Sequence, residues 1–225
     1  MSAPQPKSGT VVSPNPKSFL RNTFSTSYLV LFGYTIITLV EALRTKSTEV
    51  RHIMNIETAV SVIAGFVYGQ FQEMMKQPIP DFEQIMQLRY VDWSITTPLI
   101  LLALLLFYNG SNNISFWNYL LIIALNAGML LFGYLGESKM IDKMTGSIVG
   151  FGFFAMLLYV LGQCCITPNR SIIVFGVFAI LWSLYGVAYW LDDENKNIMY
   201  NILDICSKAI FGVILWLYFG HVVKF

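Results

Sequence analysis

The chain has 225 residues, of which 56% are hydrophobic and 12% charged, and its mean hydropathy is +0.60. Soluble domains carry nearer 25% charge, so this composition excludes an ordinary water-soluble domain and points to an integral, multi-pass membrane protein with one membrane domain. A net charge of +1 leaves no footprint for nucleic acid, and Cys164, Cys165 and Cys206 lack metal-ligand spacing and an even set for disulfides.

Residues 1–24, with Pro4, Pro6, Pro14 and Pro16 among Ser, Lys and Gly, read as a flexible tail containing a short amphipathic piece at Phe19–Phe24. The membrane domain then occupies 25–225. A helix needs about 20 apolar residues to cross a hydrocarbon core roughly 30 Å thick. Hydropathy predicts seven such helices, near Ser25–Leu43, Arg51–Phe71, Glu83–Tyr108, Ser115–Gly136, Lys143–Cys165, Arg170–Leu191 and Asn195–Val222. The fold class expected is all-α, a seven-transmembrane-helix bundle. The joints are short, so function must lie within the bundle; no soluble catalytic region or metal cluster is evident, and an enzyme is not expected. With the N-terminus placed outside, Lys and Arg occur on both faces and do not decide the orientation. Asp81, Glu83, Asp192, Asp193 and Glu194 then gather on the outer face, where they attract cations.

The seventh segment holds Asp204 and Lys208 inside an otherwise apolar run, and ionisable groups at membrane depth are costly enough to need partners. Four-residue spacing puts the two on one helical face about 5–6 Å apart along the axis, with Asn197 and Asn201 continuing the stripe. Two readings follow: a structural ion pair between helices, or a lysine joined to a carbonyl ligand as a Schiff base with Asp204 as one counter-ion. In the third segment Arg89, Asp92 and Thr96 share a face. The third and seventh segments run in the same direction, so Asp92 can reach the depth of Lys208, with Arg89 outside it. Two carboxylates, an arginine and a lysine then form a neutral set.

Arg89-Tyr90-x-Asp92-Trp93-x-x-Thr96-Thr97-Pro98 and Asp204-x-x-x-Lys208 resemble the third and seventh helices of microbial (type 1) rhodopsins. Trp182-Ser-x-Tyr185 resembles their sixth-helix pocket, and Asn126, Met129 and Gly133 their fourth helix. The resemblance implies all-trans retinal bound covalently at Lys208. It makes Asp92 the main counter-ion and proton acceptor, Asp204 the second counter-ion, and Arg89 a bridge between them on the outer side. Thr96 is expected to hydrogen-bond Asp92, Thr97 and Asn126 to couple helices three and four, and Trp93, Trp182 and Tyr185 to sandwich the polyene.

The departures from that pattern concern transport. Ala103 stands eleven residues after Asp92, where pumps of this family place an internal proton donor. Alanine cannot pass on a proton. Gly186 and Tyr189 replace a proline and a tryptophan, and Gly150 with Ser147 leaves room beside the ring. Glu41 ends the first segment and Glu57 lies within the second, with Ser61 and Tyr68 on its face. Glu57 reads either as an interfacial salt-bridge partner of Arg44 or Arg51, or as an inner gate remote from Lys208 on a polar route completed by Asn201 and Asn197. The short loops, missing donor, membrane glutamate and asparagines most resemble the viral rhodopsins of large algal-type viruses, in their channel-forming group. That implies a light-gated cation channel; the alternatives are a weak outward proton pump or a sensory rhodopsin. The expected partners are the lipid bilayer, monovalent cations or protons, and a homo-oligomer.

Overall fold

A computed structural model describes residues 16–109, 114–165 and 172–219. Its helices are α1 (Pro16–Arg44), α2 (Thr48–Met74), α3 (Phe82–Asn109), α4 (Phe116–Glu137), α5 (Lys143–Cys165), α6 (Ile172–Ala188) and α7 (Asp193–Asp204). A π-helical turn, Ile205–Ile210, continues α7 into α8 (Phe211–Phe219), and these three pieces make the seventh span. No strand occurs among the described residues. Six of the spans are long and apolar enough to cross a membrane, and α6 is the shorter one, with 17 described residues. Each helix packs on the next in sequence, and α7 returns against α1 to close the ring. The face carrying the starts of α1 and α7 is called outer.

Polar residues start several helices by accepting backbone N–H groups that have no helical partner. Ser47 Oγ accepts from Val50 N at 3.4 Å, Asp81 Oδ1 from Gln84 N at 3.0 Å, Asp142 Oδ2 from Thr145 N at 3.0 Å and Asp192 Oδ1 from Asn195 N at 3.1 Å. The side-chain amide and backbone N–H of Asn195 hold the Asp192 carboxyl below the usual carboxylate range. At the other end of α4, Lys139 takes a left-handed φ of 59°, while Met140 N bonds Leu135 O at 3.0 Å and Lys139 N bonds Gly136 O at 3.3 Å. This is a Schellman ending, with lysine where glycine is usual.

The first helix begins at Pro16, nine residues before the expected Ser25. Proline is tolerated in a first helical turn. Leu20, Phe24 and Leu31 are buried, at 2%, 0% and 0% exposure, in one apolar cluster with Tyr68, Phe71 and Ile85. Part of the expected tail is therefore the first turns of a packed helix; residues 1–15 lie outside the described residues. So do the joint over 110–113, residues 166–171 and everything after 219. The sixth helix ends at Ala188, and Tyr189–Leu191 close it with i→i−3 and i→i−4 bonds.

Of three apolar clusters among the described residues, the two larger bracket the polar interior. The larger joins Ile53, Ala103, Leu104, Phe107, Ile122, Leu157, Leu161 and Phe178 across α2 to α6. The smaller fills the outer space between α1, α2 and α3. Buried polar and charged side chains from α1, α2, α3 and α7 lie outside both.

Candidate functional site

Lys208 sits in the π-helical turn with 1% exposure, so its ammonium must be satisfied by the protein. Lys208 Nζ donates to Asp92 Oδ2 at 2.6 Å and lies 3.3 Å from Asp204 Oδ2. A π turn closes i→i+5 bonds and is frequent at functional sites. The seventh span is thus not the continuous α-helix expected, though the four-residue spacing still brings Asp204 and Lys208 together.

Donors surround Asp204. Tyr185 Oη and Trp93 Nε1 donate to Oδ1 at 2.8 and 3.3 Å, and Tyr68 Oη and Arg89 Nη1 donate to Oδ2 at 2.9 and 3.3 Å. Ser207 Oγ is 2.8 Å from Tyr185 Oη. Asp92 differs: its Oδ1 is buried and has no partner. Arg89, 1% exposed, pairs with Asp204 and donates from Nη2 to Asn201 Oδ1 at 2.8 Å and Asn197 Oδ1 at 3.1 Å. Its guanidinium carbon lies 4.9–6.0 Å from the ring centroids of Phe24, Tyr68, Phe71, Trp93 and Tyr200. Cation–π attraction adds to the ion pair in such a setting.

Arg89 and Thr96 depart from their expected contacts. Arg89 does not bridge the carboxylates, because its hydrogen bonds go to Asp204, Tyr68 and the two asparagines. Thr96 Oγ1 donates to the main-chain carbonyl of Asp92 at 2.9 Å rather than to its carboxylate, the usual back-bond of a threonine inside a helix. Thr97 and Asn126 are brought together as expected, with Asn126 Nδ2 donating to Thr97 Oγ1 at 2.7 Å.

Beside Lys208 a cavity opens between α3, α4, α5, α6 and the seventh span. Trp93, Thr97, Met129, Gly133, Trp182 and Tyr185 line it with Lys208, and α5 contributes Gly146, Ser147 and Gly150. Asn126 is not among its walls and acts through Thr97. The empty space is about 820 Å³ including its open mouth. A methyl on Gly150 would meet Met129 O at 3.5 Å and Gly133 N at 3.8 Å, both ordinary contacts, so room is left there as expected. At Gly186 the space is taken, because a methyl would overlap the ring of Phe151. An apolar, aromatic-walled cavity ending on a buried primary amine fits a long apolar aldehyde bound through a lysine.

Glu57 is 1% exposed and accepts from Tyr34 Oη at 3.3 Å through Oε2, while its Oε1 has no partner. It makes no ion pair with Arg44 or Arg51; Arg51 is exposed and donates to Thr45 O at 2.8 Å. It is not remote from Lys208 either. A methyl on Gly212, four residues past Lys208, would overlap Tyr34 Oη and come within 2.6 Å of Glu57 Oε2. Four residues of helix span about 6 Å. Ser61 Oγ donates to Glu57 O at 2.9 Å, and Thr58 Oγ1 to Thr38 Oγ1 at 2.9 Å. Glu41, half-buried, lies seven residues beyond Tyr34, about 10 Å further toward the inner end.

Several participants carry no mark in the sequence. Thr23 Oγ1 accepts from Asn201 Nδ2 at 2.9 Å, and Ser27 Oγ donates to Asn201 O at 3.1 Å, so α1 belongs to the outer polar cluster. Tyr34 reaches Glu57 from the same helix. Tyr68, expected beside Glu57, instead serves Asp204 and Arg89. Only Tyr200 carried a usable signal, four residues before Asp204.

A seven-helix ring around a buried lysine, two carboxylates and an aromatic cavity defines a retinal-protein architecture. The model of the bacteriorhodopsin-like protein family matches residues 20–222. The chain belongs to that family: it is a microbial rhodopsin, an integral multi-pass membrane protein that binds retinal through a Schiff base to a lysine. The crystal structure of viral rhodopsin OLPVRII superposes with a TM-score of 0.86 at 38% identity, covering 91% of this chain and 99% of that one. Green-light absorbing proteorhodopsin of gamma-proteobacterium EBAC31A08 is 25% identical over 182 residues, 71% of each chain. Sensory rhodopsin-2 of Haloarcula vallismortis is 23% identical over 211 residues, 83% of this chain and 81% of its own.

Proposed function

We propose that the protein is a light-gated cation channel in which Lys208 carries the retinal. The observation that carries this reading is the pair of buried polar clusters on either side of Lys208, both on the α1–α2–seventh-span side of the bundle. Retinal supplies light absorption and a change of shape at the lysine nitrogen. Asp92 Oδ2 holds the proton on Lys208 Nζ, and its open Oδ1 gives a departing proton a place to go. Asp204, already receiving four donors, is the fixed charge that keeps Arg89, Tyr68 and Tyr185 in position. Trp93, Trp182 and Tyr185 wall the cavity and exclude water from it. Outside Lys208, Asn201, Asn197, Thr23 and Ser27 offer oxygens to a partly dehydrated cation; inside it, Glu57, Tyr34, Thr38 and Thr58 do the same. The two sets meet at the level of Lys208 and Gly212, where a displacement of the lysine chain joins or separates them.

Outward proton pumping is the second reading, favoured by the short Lys208–Asp92 contact and the vacant oxygen of Asp92. It is opposed by Ala103, which is fully buried in the apolar cluster. Voltage-clamp recording under light separates the two. A current that reverses with the cation gradient supports the channel; one that stays outward when cation and proton gradients are both inverted rejects it. Lys208→Ala is expected to abolish the visible band on retinal addition, since only a primary amine at this site can form the imine. A persisting, hydroxylamine-sensitive band would move the attachment elsewhere.

A further inference from the structure

Lys196 stands four residues before Tyr200, which stands four before Asp204, so one face of the seventh span carries an ammonium near its outer end as well as that of Lys208 at mid-span. The outer ammonium pairs with two carboxylates. Lys196 Nζ lies 2.8 Å from Glu137 Oε2 and 3.3 Å from Asp193 Oδ1. The side chains of Lys196 and Glu137 are 8% and 7% exposed, against 65% for Asp193. The end of α4 and the first turn of α7 therefore aim two carboxylates, one buried and one at the surface, at a single cation. Glu137 Oε1 is buried without a partner, so this carboxylate has acceptor capacity that the lysine does not use. Asn197 ties the same turn to the interior: its Nδ2 donates to Asp193 O at 2.8 Å and its Oδ1 accepts from Arg89 Nη2 at 3.1 Å.

We propose that Glu137 and Asp193 form an outer subsite for a small monovalent cation, and that the ammonium of Lys196 is its built-in occupant. Carboxylate oxygens are hard ligands for small cations. A carboxylate buried this deeply needs a counter-charge wherever that charge comes from. Take the tether away and the buried Glu137 carboxylate remains, with the surface carboxylate of Asp193 beside the place of the lost ammonium. The subsite goes beyond the channel reading and does not depend on it, because it exists in the dark and is tested there.

The test uses the full chain loaded with retinal in detergent, following the temperature at which the visible band is lost. Lys196→Ala is expected to lower that temperature by several degrees. Ammonium or methylammonium chloride should restore most of the loss saturably, whereas tetramethylammonium chloride at equal ionic strength, too bulky to take the place of the lost ammonium, should not. The unmodified protein should not respond, and neither should Lys196→Ala combined with Glu137→Gln. Equal recovery with all three salts, recovery in the double variant, or no loss in Lys196→Ala would each overturn the proposal. If Lys196→Ala takes up no retinal even with ammonium present, while Lys196→Arg does, the pair is a structural tie only and the proposal falls.

Discussion

Asp92 and Asp204 approach the same nitrogen but are built for different work. Asp204 is held by tyrosine, tryptophan and arginine donors, whereas Asp92 receives Lys208 on one oxygen and nothing on the other. Asp92→Asn is therefore expected to move the visible band to longer wavelength at neutral pH, because a nearby negative charge stabilises the ground-state positive charge on the nitrogen. An unchanged spectrum and an unchanged titration of the chromophore would transfer that role to Asp204. Glu57→Gln keeps the shape and the bond from Tyr34 while removing the acid. It is expected to reduce light-driven cation current severalfold, measured at matched chromophore content. Sequence alone predicts no spectral response, since it puts Glu57 far from Lys208. With Gly212 letting Glu57 approach to within about a turn, a small shift of the dark band should accompany the lost current, since charges and dipoles act strongly at that range in a low-dielectric interior. Full current from Glu57→Gln would remove it from the ion route.

At the scale of the element, Lys139 holds a left-handed conformation that costs a non-glycine residue roughly 1–2 kcal/mol. Lys139→Gly should therefore stabilise the α4–α5 connection by about 1 kcal/mol, seen as a higher temperature for loss of the visible band; a lower one would show that the lysine side chain contributes more than its backbone costs. The helices themselves were legible because about 20 apolar residues between polar joints permit little else in a membrane. The start of α1 was not, since prolines and lysines in 1–17 masked the stripe of Leu20, Phe24 and Leu31. The π turn was not legible either: Ile205-Cys-Ser-Lys-Ala-Ile contains neither proline nor glycine to announce it. Site residues with a distinctive spacing, such as Asp92, Asp204 and Lys208, could be found in the chain. Partners such as Thr23, Ser27 and Tyr34 could not, because a hydroxyl on an apolar helix has no local mark of what it will face.

Across the whole molecule the polar interior is off-centre. The inner space between α2 and α6 is filled by aliphatic and aromatic side chains around Ala103, while the polar groups follow α1, α2 and the seventh span. Ala103→Asp therefore places a carboxyl among Leu104, Phe107 and their neighbours. An unpaired buried acid there should cost a few kcal/mol. The expected result is earlier thermal bleaching and no gain of outward proton current; sustained outward pumping with normal stability would mean that water reaches α3 from the inner face.

The π turn also governs how this chain is to be compared with others. An i→i+5 ring holds one residue more than an i→i+4 ring, so Ile205–Ile210 stores a single-residue insertion without interrupting the helix. Beyond it, the positions of α8 that face the bundle are offset by one from those of an uninterrupted helix. A substitution at Gly212 or its neighbours transferred from a relative without such a turn would land one step around the helix from its intended face.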